Sequence, residues 1–457
     1  MRTLGTVSRP AAPGRDVPTG KSLWIRHGTW WLHPAWTGVL VALPCLAVTW
    51  YIPDKDYRLW WRTPKYFDSA ACLTTLLLIG AFVVGAIAPS LARRRSIVRN
   101  SLVTPTAAQQ RILGQAGRVF VVLTLIGYAA WALLAISRGY GGDQLGSALL
   151  LDRDTLIASK EEYFSTAPGV TTLTQFGPLA IVCLLLDRRV SGHHHRWPLT
   201  VLAALVLARV LINAERLALF ETVVPVIVVA AALRSGHTAR PRHRVRWALL
   251  PMVAPLLLVA VFGLFEYTRS WSDRYQHEHI GLGEFVMLRL GGYYATASNN
   301  SAVLLTHLAP YAKLPCFTVP VIWNFPILKS LFDAHGGLDA GPHHWMLVLA
   351  QYGNPEFNNQ GAVLPAVADY GPVGALAWWA AIGLMLGTCY RALRAGELHG
   401  LVLYSVLYVG LLEMGRIFYW GLGRAFPVIA GGILLAVLLR RAGPRTADGG
   451  RGNLIGR

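Results

Sequence analysis

The sequence predicts an all-α polytopic membrane protein with about ten transmembrane helices and one large extracytoplasmic loop between the seventh and eighth spans. Three observations lead to this fold class. Hydrophobic residues make up 54% of the 457-residue chain and charged residues only 14%, a composition too apolar for a soluble protein. Apolar runs of membrane-spanning length recur along the chain. Most of its 42 lysines and arginines lie in the short segments between those runs.

A helix needs about 17 to 25 residues, at about 1.5 Å each, to cross the hydrocarbon core of a bilayer. Apolar runs near that length lie at residues 36–52, 68–89, 119–137, 170–186, 197–212, 217–233, 247–265, 372–390, 401–414 and 425–439. The first run lacks a small-residue cleavage site, so we expect it to be retained as a span. The predicted division of the chain is a tail over 1–35, about seven spans over 36–265, the large loop over 266–371, three spans over 372–439 and a second tail over 440–457.

The basic residues predict the orientation. Four basic segments, at residues 93–99, 187–196, 234–246 and 391–400, fall on one side of the bilayer, and that side is the cytoplasm if both termini are cytoplasmic. The net charge of +19 is therefore a topology signal, and we expect no nucleic-acid partner. The predicted location is the inner or plasma membrane, with a multi-pass chain and both termini in the cytoplasm.

No metal or cofactor is expected from the sequence. The five cysteines show no CxxC spacing, which argues against a zinc site or a disulfide framework. The histidine triplet at 193–195 lies in a basic segment, where we expect it to be solvated. Asp54 and Asp56, in the first outer loop, form a pattern that can hold Mg²⁺ or Mn²⁺ beside a phosphate, but such short patterns are common by chance.

The large outer loop contains one periodic stretch. Apolar residues recur every three or four positions from Met287 to Leu308, which is the period of one helix face. The opposite face carries Arg289, Tyr293, Thr296 and Asn300. This pattern predicts an amphipathic helix that lies on the bilayer or caps the bundle with its polar face toward a cavity. The apolar run at 314–332 contains three prolines, so we expect a packed or interfacial loop there.

Two arginines lie where the bilayer makes a charge costly, in the run VLARVLINAERLALFE. Arg209 and Arg216 are seven residues apart, and a helix break between them would place both on adjoining helix ends at the outer side. A guanidinium stays charged and binds phosphate oxygens through two parallel hydrogen bonds, so these arginines suit a lipid-linked diphosphate. The alternative is that both form structural ion pairs with Glu215 and Glu221.

Glycosyl transfer with inversion needs a base for the acceptor hydroxyl and a cation for the leaving diphosphate. The outer candidates for acid or base work include Glu266, His343 and Asp369. Asp369 is attractive because its segment, DYGPVG, enters a span and contains glycines that let backbone approach a ligand. The alternative role for Asp369 is to cap the first turn of the following helix.

Three segments and the architecture carry a family resemblance. The segments are the arginine-bearing junction at 209–221, LRLGGYYATASNN at 288–300 and NNQGAVLPAVADYGPVG at 358–374. Together with about ten spans, cytoplasmic termini and a large outer loop late in the chain, they resemble the bacterial oligosaccharide repeat-unit polymerases. These O-antigen polymerase-like membrane proteins are related to the O-antigen ligases. The third segment looks like the family's D-[FY]-G-x-x-G helix entry.

The resemblance implies extracytoplasmic polymerisation of undecaprenyl-diphosphate-linked repeat units, without a metal, as the growing chain passes from its lipid to the next unit. By position, it implies that the diphosphate is bound by Arg209, Arg216, Arg269 and Arg289. It also implies a base among Asp369, Glu266 and His343. The implied partners are the lipid-linked oligosaccharide, membrane lipids, a flippase and a chain-length regulator.

Two other functions stay open at the level of sequence. A multi-span glycosyltransferase that uses polyprenyl-phosphate sugars would need an acidic pair in its first outer loop, and Asp54 and Asp56 match that pattern. A transporter of polysaccharide or lipid-linked sugar would place its site near the bilayer midplane, on broken helices in repeated halves. The sequence shows no such repeat, and its large outer segment favours an enzyme.

Overall fold

The computed structural model describes residues 23–26, 29–91, 100–103, 105–142, 162–164, 167, 169–213, 216–234, 241–267, 271, 280–308, 315–324 and 342–443. Its helices are α1 (Pro34–Tyr51), α2 (Asp54–Trp61), α3 (Ser69–Leu91), α4 (Ala107–Ser137), α5 (Val170–Leu173), α6 (Gly177–Ser191), α7 (Arg196–Asn213), α8 (Arg216–Ala232), α9 (Pro241–Glu266), α10 (Leu282–His307), α11 (Pro320–Asn324), α12 (Pro342–Tyr352), α13 (Pro365–Arg394), α14 (Leu398–Leu412) and α15 (Phe426–Arg441). Its strands are β1 (Leu23–Arg26), β2 (Asn100–Val103) and β3 (Leu233–Arg234).

The structure is that of a membrane protein built almost entirely of helices. Within the described ranges, five helices are long and apolar enough to cross a membrane, namely α1, α3, α4, α13 and the part of α9 from Trp247 to Glu266. Two further apolar helices, the Leu217–Ala232 part of α8 and α14, are shorter. Nine of the ten apolar runs identified in the sequence each coincide with one helix, and the run at 170–186 is divided between α5 and α6. The total of ten spans stays a prediction.

Helices α3 and α13 pack closely because small residues line their contact. A side chain at Gly383 or Gly387 of α13 would collide with backbone atoms of Phe82 or Ala86 in α3. Gly85 of α3 in turn faces the backbone of α13. Small residues four apart let two helix backbones approach each other, which is the usual contact between helices in lipid. This pair forms the centre of the hydrophobic core, with Phe82 and Trp379 fully buried beside it.

A small antiparallel sheet joins three segments at one end of the bundle, although the sequence analysis predicted only helices. The strands pair in the order β2-β1-β3, so the amino-terminal strand lies in the middle. At the same end, Gln109 Nε2 donates to the carbonyl of Leu439 at 2.9 Å, and Trp31 Nε1 donates to the carbonyl of Trp247 at 2.8 Å. We call this the basic end, because the described helices α6, α13 and α15 end there in arginine-bearing turns. The side of the membrane that it faces stays a prediction.

The opposite end, which we call the polar end, contains the predicted outer helix. The periodic stretch does form a helix, α10, but its polar positions do not face an open surface. Its polar positions Arg289, Thr296 and Asn300 are buried, and so are Ala297 and Leu304 on its apolar face. Helix α10 packs inside the bundle against α1, α9, α12 and α13, so neighbouring protein rather than an open cavity covers its polar face.

Candidate active site at the polar end

The centre of the polar end is a buried arginine between two glutamates, which we call the Arg289 cluster. Arg289 of α10 has a side chain only 7% exposed. Its Nε lies 3.5 Å from Glu266 Oε2 at the end of α9, and its Nη2 lies 2.6 Å from Glu356 Oε1. The Glu266 side chain is fully enclosed, whereas that of Glu356 is 42% exposed. One side of the guanidinium is therefore held from inside the protein and the other from its surface.

Aromatic rings and charge fix the state of this arginine. The guanidinium carbon lies 5.0 Å from the centre of the Phe357 ring and 5.9 Å from that of Tyr293. Burial disfavours the cation, but the hydrogen bond that Arg289 donates to Glu356 and the nearby acidic charges outweigh it and raise the pKa of Arg289. Arg289 is therefore a permanent, partly desolvated cation, and attraction to an anion is stronger in such a place than in water.

The segment that carries Glu356 is fastened to α10 by side-chain amides. Asn300 Nδ2 donates to the carbonyls of Phe357 and Asn359, at 2.6 and 2.9 Å. Asn354 accepts from the backbone N–H of Glu356 at 2.9 Å and donates to the carbonyl of Trp61. The polar face of α10, noted in the sequence as a possible cavity lining, therefore positions the loop that delivers Glu356.

Arg209 lies near the end of α7 and bonds to a different part of the bundle. Its Nη1 donates to Thr174 Oγ1 at 2.8 Å, and the amide oxygen of Gln175 accepts from the same guanidinium at 3.0 and 3.1 Å. The guanidinium also stacks over Trp131 of α4, with 5.3 Å from its carbon to the ring centre. Arg209 thus joins α7 to α4 and to the turn before α6.

Glu221, which the sequence suggested as an ion-pair partner for Arg209 and Arg216, has its described partners at the other end of the chain. Both of its carboxylate oxygens accept from Arg424, at 2.7 and 2.8 Å, in the turn between α14 and α15. The Tyr419 hydroxyl donates to Oε1 at 2.9 Å. The described partners of Glu221 are therefore far along the chain, and they tie α8 to the last outer turn.

A further ion pair, Glu413 with Arg416, was not singled out as a pair in the sequence. Arg416 Nη2 lies 2.8 Å from Glu413 Oε2, at the end of α14. The ring of Tyr294 on α10 lies close to Gly415 in this turn. A glutamate that ends an apolar run three residues before an arginine was the available signal, because that spacing brings two side chains together on one turn.

The end of α9 connects these groups. Phe265, next to Glu266, packs against Val210 of α7 and Ala218 of α8. On its other side, Phe262 of the same helix packs against Phe285 of α10. The junction that holds Arg209 and the helix that holds Arg289 therefore meet at one helix end. The described partners of Arg209 and Arg289 are nevertheless different residues.

Asp369 holds a loop. Its carboxylate accepts from the backbone N–H of Phe317 at 3.1 Å, and from both the N–H and the hydroxyl of Thr318 at 2.7 Å. The expected cap of the following helix is not formed, because Gly371 breaks α13 with φ +71° directly after Asp369 and Tyr370. Asp369 ends a short first helical segment, and glycine is required at the break because other residues rarely adopt a positive φ. A role for Asp369 as a base stays a prediction.

The other predicted site residues either lie outside the described part of the chain or form contacts away from the Arg289 cluster. Arg269 and the side chains of Arg216, Glu215 and His343 lie outside the described part of the chain. Asp54 accepts from Arg58 Nε and from the backbone N–H of Lys65, both at 2.7 Å. Asp54 thus fastens its own loop.

Comparisons with protein-family models, with curated proteins and with solved structures found no match to this chain.

Proposed function

We propose that the protein is a membrane glycosyltransferase that polymerises undecaprenyl-diphosphate-linked oligosaccharide repeat units at the polar end. The observation that carries the proposal is the Arg289 cluster, with one enclosed carboxylate and one half-exposed carboxylate on a buried guanidinium. Glu356, the half-exposed group, occupies the position that an incoming phosphate oxygen would take. The sequence resemblance supplies the substrate class, and the cluster supplies a binding geometry for it.

Diphosphate suits this position for electrostatic reasons. A guanidinium offers two parallel donors to phosphate oxygens, and its hydrogen bonds to anions are about twice as strong as neutral ones. Glu266 stays behind the guanidinium and keeps its plane oriented, while Glu356 is free to leave because nearly half of its side chain faces outward. Substrate binding would then exchange one anionic partner of Arg289 for another.

This exchange places a base beside the substrate. In the proposed step, the acceptor hydroxyl oxygen bonds to the anomeric carbon of the growing chain, and the bond from that carbon to the diphosphate oxygen breaks. The displaced Glu356 takes the hydroxyl proton, and the electron pair leaves with the diphosphate on Arg289. A single displacement of this kind inverts the anomeric centre. No metal takes part in the proposed step.

Complementation of a gene deletion tests the proposal. We expect the deletion strain to accumulate single lipid-linked repeat units, and wild type to restore the ladder of longer glycans on a gel. Arg289→Lys should lose most of the ladder because an ammonium cannot bind two oxygens in parallel. Glu356→Gln should lose it as well because an amide cannot accept the proton. The control is Arg58→Lys, an exposed arginine paired with Asp54 four residues earlier.

The other outcomes refute the proposal in distinct ways. If the Arg289→Lys variant and the Glu356→Gln variant each restore the full ladder, the Arg289 cluster takes no part in the reaction. Glycans that lack one sugar but keep their length would indicate the multi-span glycosyltransferase. Loss of substrate movement across sealed vesicles, with unchanged polymer chemistry, would indicate a transporter.

A further inference from the structure

The connection between α6 and α7, at the basic end, brings one carboxylate and two imidazoles together. Asp187 Oδ2 lies 2.6 Å from His195 Nε2 and 3.4 Å from His193 Nδ1. The three candidate ligand atoms all lie within 4.8 Å of one another. The expectation that the histidine triplet is simply solvated is wrong for His195, whose side chain is only 15% exposed.

Local structure holds each of the three groups in place. Gly192 ends α6 with φ +76°, which turns the chain so that the histidines return over the last turn of that helix. The carbonyl of His195 accepts from the N–H of Leu199 and so starts α7. Ser191 Oγ donates to Asp187 Oδ1 at 2.9 Å. This bond orients the carboxylate and leaves Oδ2 toward the imidazoles, as an outer hydrogen bond does for many metal ligands.

The burial of Asp187 calls for a cation. Its side chain is 4% exposed, and α4 covers it at Gly114, where an added side chain would meet both carboxylate oxygens. Among the residues that the structure describes, its ion-pair partners are the two histidines, and neither is a lysine or an arginine. A buried carboxylate is costly unless a positive charge or several hydrogen bonds accompany it.

We propose that Asp187, His193 and His195 bind a zinc ion. Two imidazole nitrogens and one carboxylate oxygen are ligands that Zn²⁺ prefers over the oxygen-rich sets of Mg²⁺ or Ca²⁺. Ligand atoms of a tetrahedral zinc site stand about 3.3 Å apart, so His195 must move outward slightly from its present hydrogen bond. The fourth position would hold water.

The site is structural in the proposal. It lies at the basic end, whereas the Arg289 cluster lies at the polar end, so the ion takes no part in glycosyl transfer. It would clamp the end of α6 to the start of α7. This inference is independent of the proposed function and stands or falls on metal binding alone.

Cobalt titration of the purified full-length protein, carrying a tag without histidine, tests the site. We expect wild type, after treatment with chelator, to bind one Co²⁺ with the visible absorption bands of a tetrahedral site, and Zn²⁺ to displace it. His193→Ala and His195→Ala should abolish the bands. His193 is the safer variant because its side chain is 68% exposed, so we expect its replacement to leave the fold intact. The matched control is His194→Ala, an exposed neighbour outside the cluster, which should bind as wild type does.

Thermal unfolding provides the second readout. Zn²⁺ should raise the melting temperature of wild type and of His194→Ala but leave that of His193→Ala unchanged, because an ion that binds only the folded state stabilises it. Absence of the cobalt bands in wild type would overturn the proposal. So would bands that persist in both His193→Ala and His195→Ala.

Discussion

The two ends of the bundle are held together by different forces. At the basic end, three short strands pair through backbone hydrogen bonds, Gln109 bonds to the last turn of α15, and the described ionic contacts include those of Asp187 with two histidines rather than with an arginine. At the polar end, the contacts include the arginine–glutamate pairs Arg289–Glu266, Arg424–Glu221 and Arg416–Glu413. Burying an ion pair is costly, and apolar residues of the same volume are often as good or better for stability. Stability alone therefore does not explain why arginine–glutamate pairs lie at the polar end, and this is our physical reason for placing the function there.

The largest expected effect comes from breaking a pair at the polar end. Glu221→Ala leaves Arg424 and the buried Tyr419 hydroxyl without their shared carboxylate. We expect a loss of about 3–5 kcal/mol in unfolding free energy, the range for removing one partner of a buried pair. Chemical unfolding of the purified protein, followed by circular dichroism, measures it.

Replacement of both partners sharpens this test. The double variant Glu221→Leu with Arg424→Met should recover much of the lost stability, since no charge is then left behind. If the double variant is as unstable as Glu221→Ala, the pair itself stabilises the fold, and the argument from the charges at the polar end loses its basis.

The next effect concerns the loop that Asp369 holds. Asp369→Asn loses one accepting oxygen, so we expect about 1–3 kcal/mol of destabilisation, confined to the loop around Thr318. Cys316 in that loop reports the change. Burial and the charge of Asp369 raise the pKa of its thiol to about 11, so the wild-type thiol reacts slowly with alkylating reagents.

In Asp369→Asn, Cys316 should be alkylated several-fold faster at mildly alkaline pH, because both causes of its raised pKa are weakened. Mass spectrometry of the peptides distinguishes the cysteines. Cys183, which is fully buried, is the internal control and should stay unmodified. An unchanged rate at Cys316 would show that the loop does not depend on this carboxylate.

The smallest effect is expected at the basic end. Thr106 caps α4 by accepting from the N–H of Gln109 at 3.1 Å, and its hydroxyl donates to the carbonyl of Ala442 at 2.7 Å. Thr106→Ala should cost about 0.5–2 kcal/mol, as for other helix caps, and leave the glycan ladder intact. Measuring the unfolding free energies of Thr106→Ala and Glu221→Ala under the same conditions compares the two ends directly. A loss as large as that of Glu221→Ala would remove the difference between them.

Sequence predicted the helices well and their polar contacts poorly. The apolar runs were found as helices because hydrophobic length and period are local properties. The partners of Glu221 and Asp369 were missed because they lie about 200 and 50 residues away in the chain. No local pattern indicates such a distance. The strands β1 to β3 were missed because they contain only two to four residues, which is too few to show a period.

Within the candidate site, the chemical type of a residue was a better guide to its involvement than its position in the sequence. Arg289 and Glu266 were named from the sequence, and the structure brings them together. Nothing in the sequence distinguishes Glu356 from the other carboxylates of the large loop, and only the fold singles it out, through Asn300 and Asn354. The predicted amphipathic helix exists, but the pattern could not reveal that loops of the same chain cover its polar face.

The most direct test of the central claim uses the purified protein in liposomes with a lipid-linked repeat unit. Mass spectrometry would follow chain length and the release of undecaprenyl diphosphate, for wild type, Arg289→Lys, Glu356→Gln and the basic-end control Thr106→Ala. We predict one released diphosphate lipid for each new linkage in wild type and Thr106→Ala, and little of either product in the two polar-end variants. Equal chain growth in all four proteins would contradict the assignment of the reaction to the polar end.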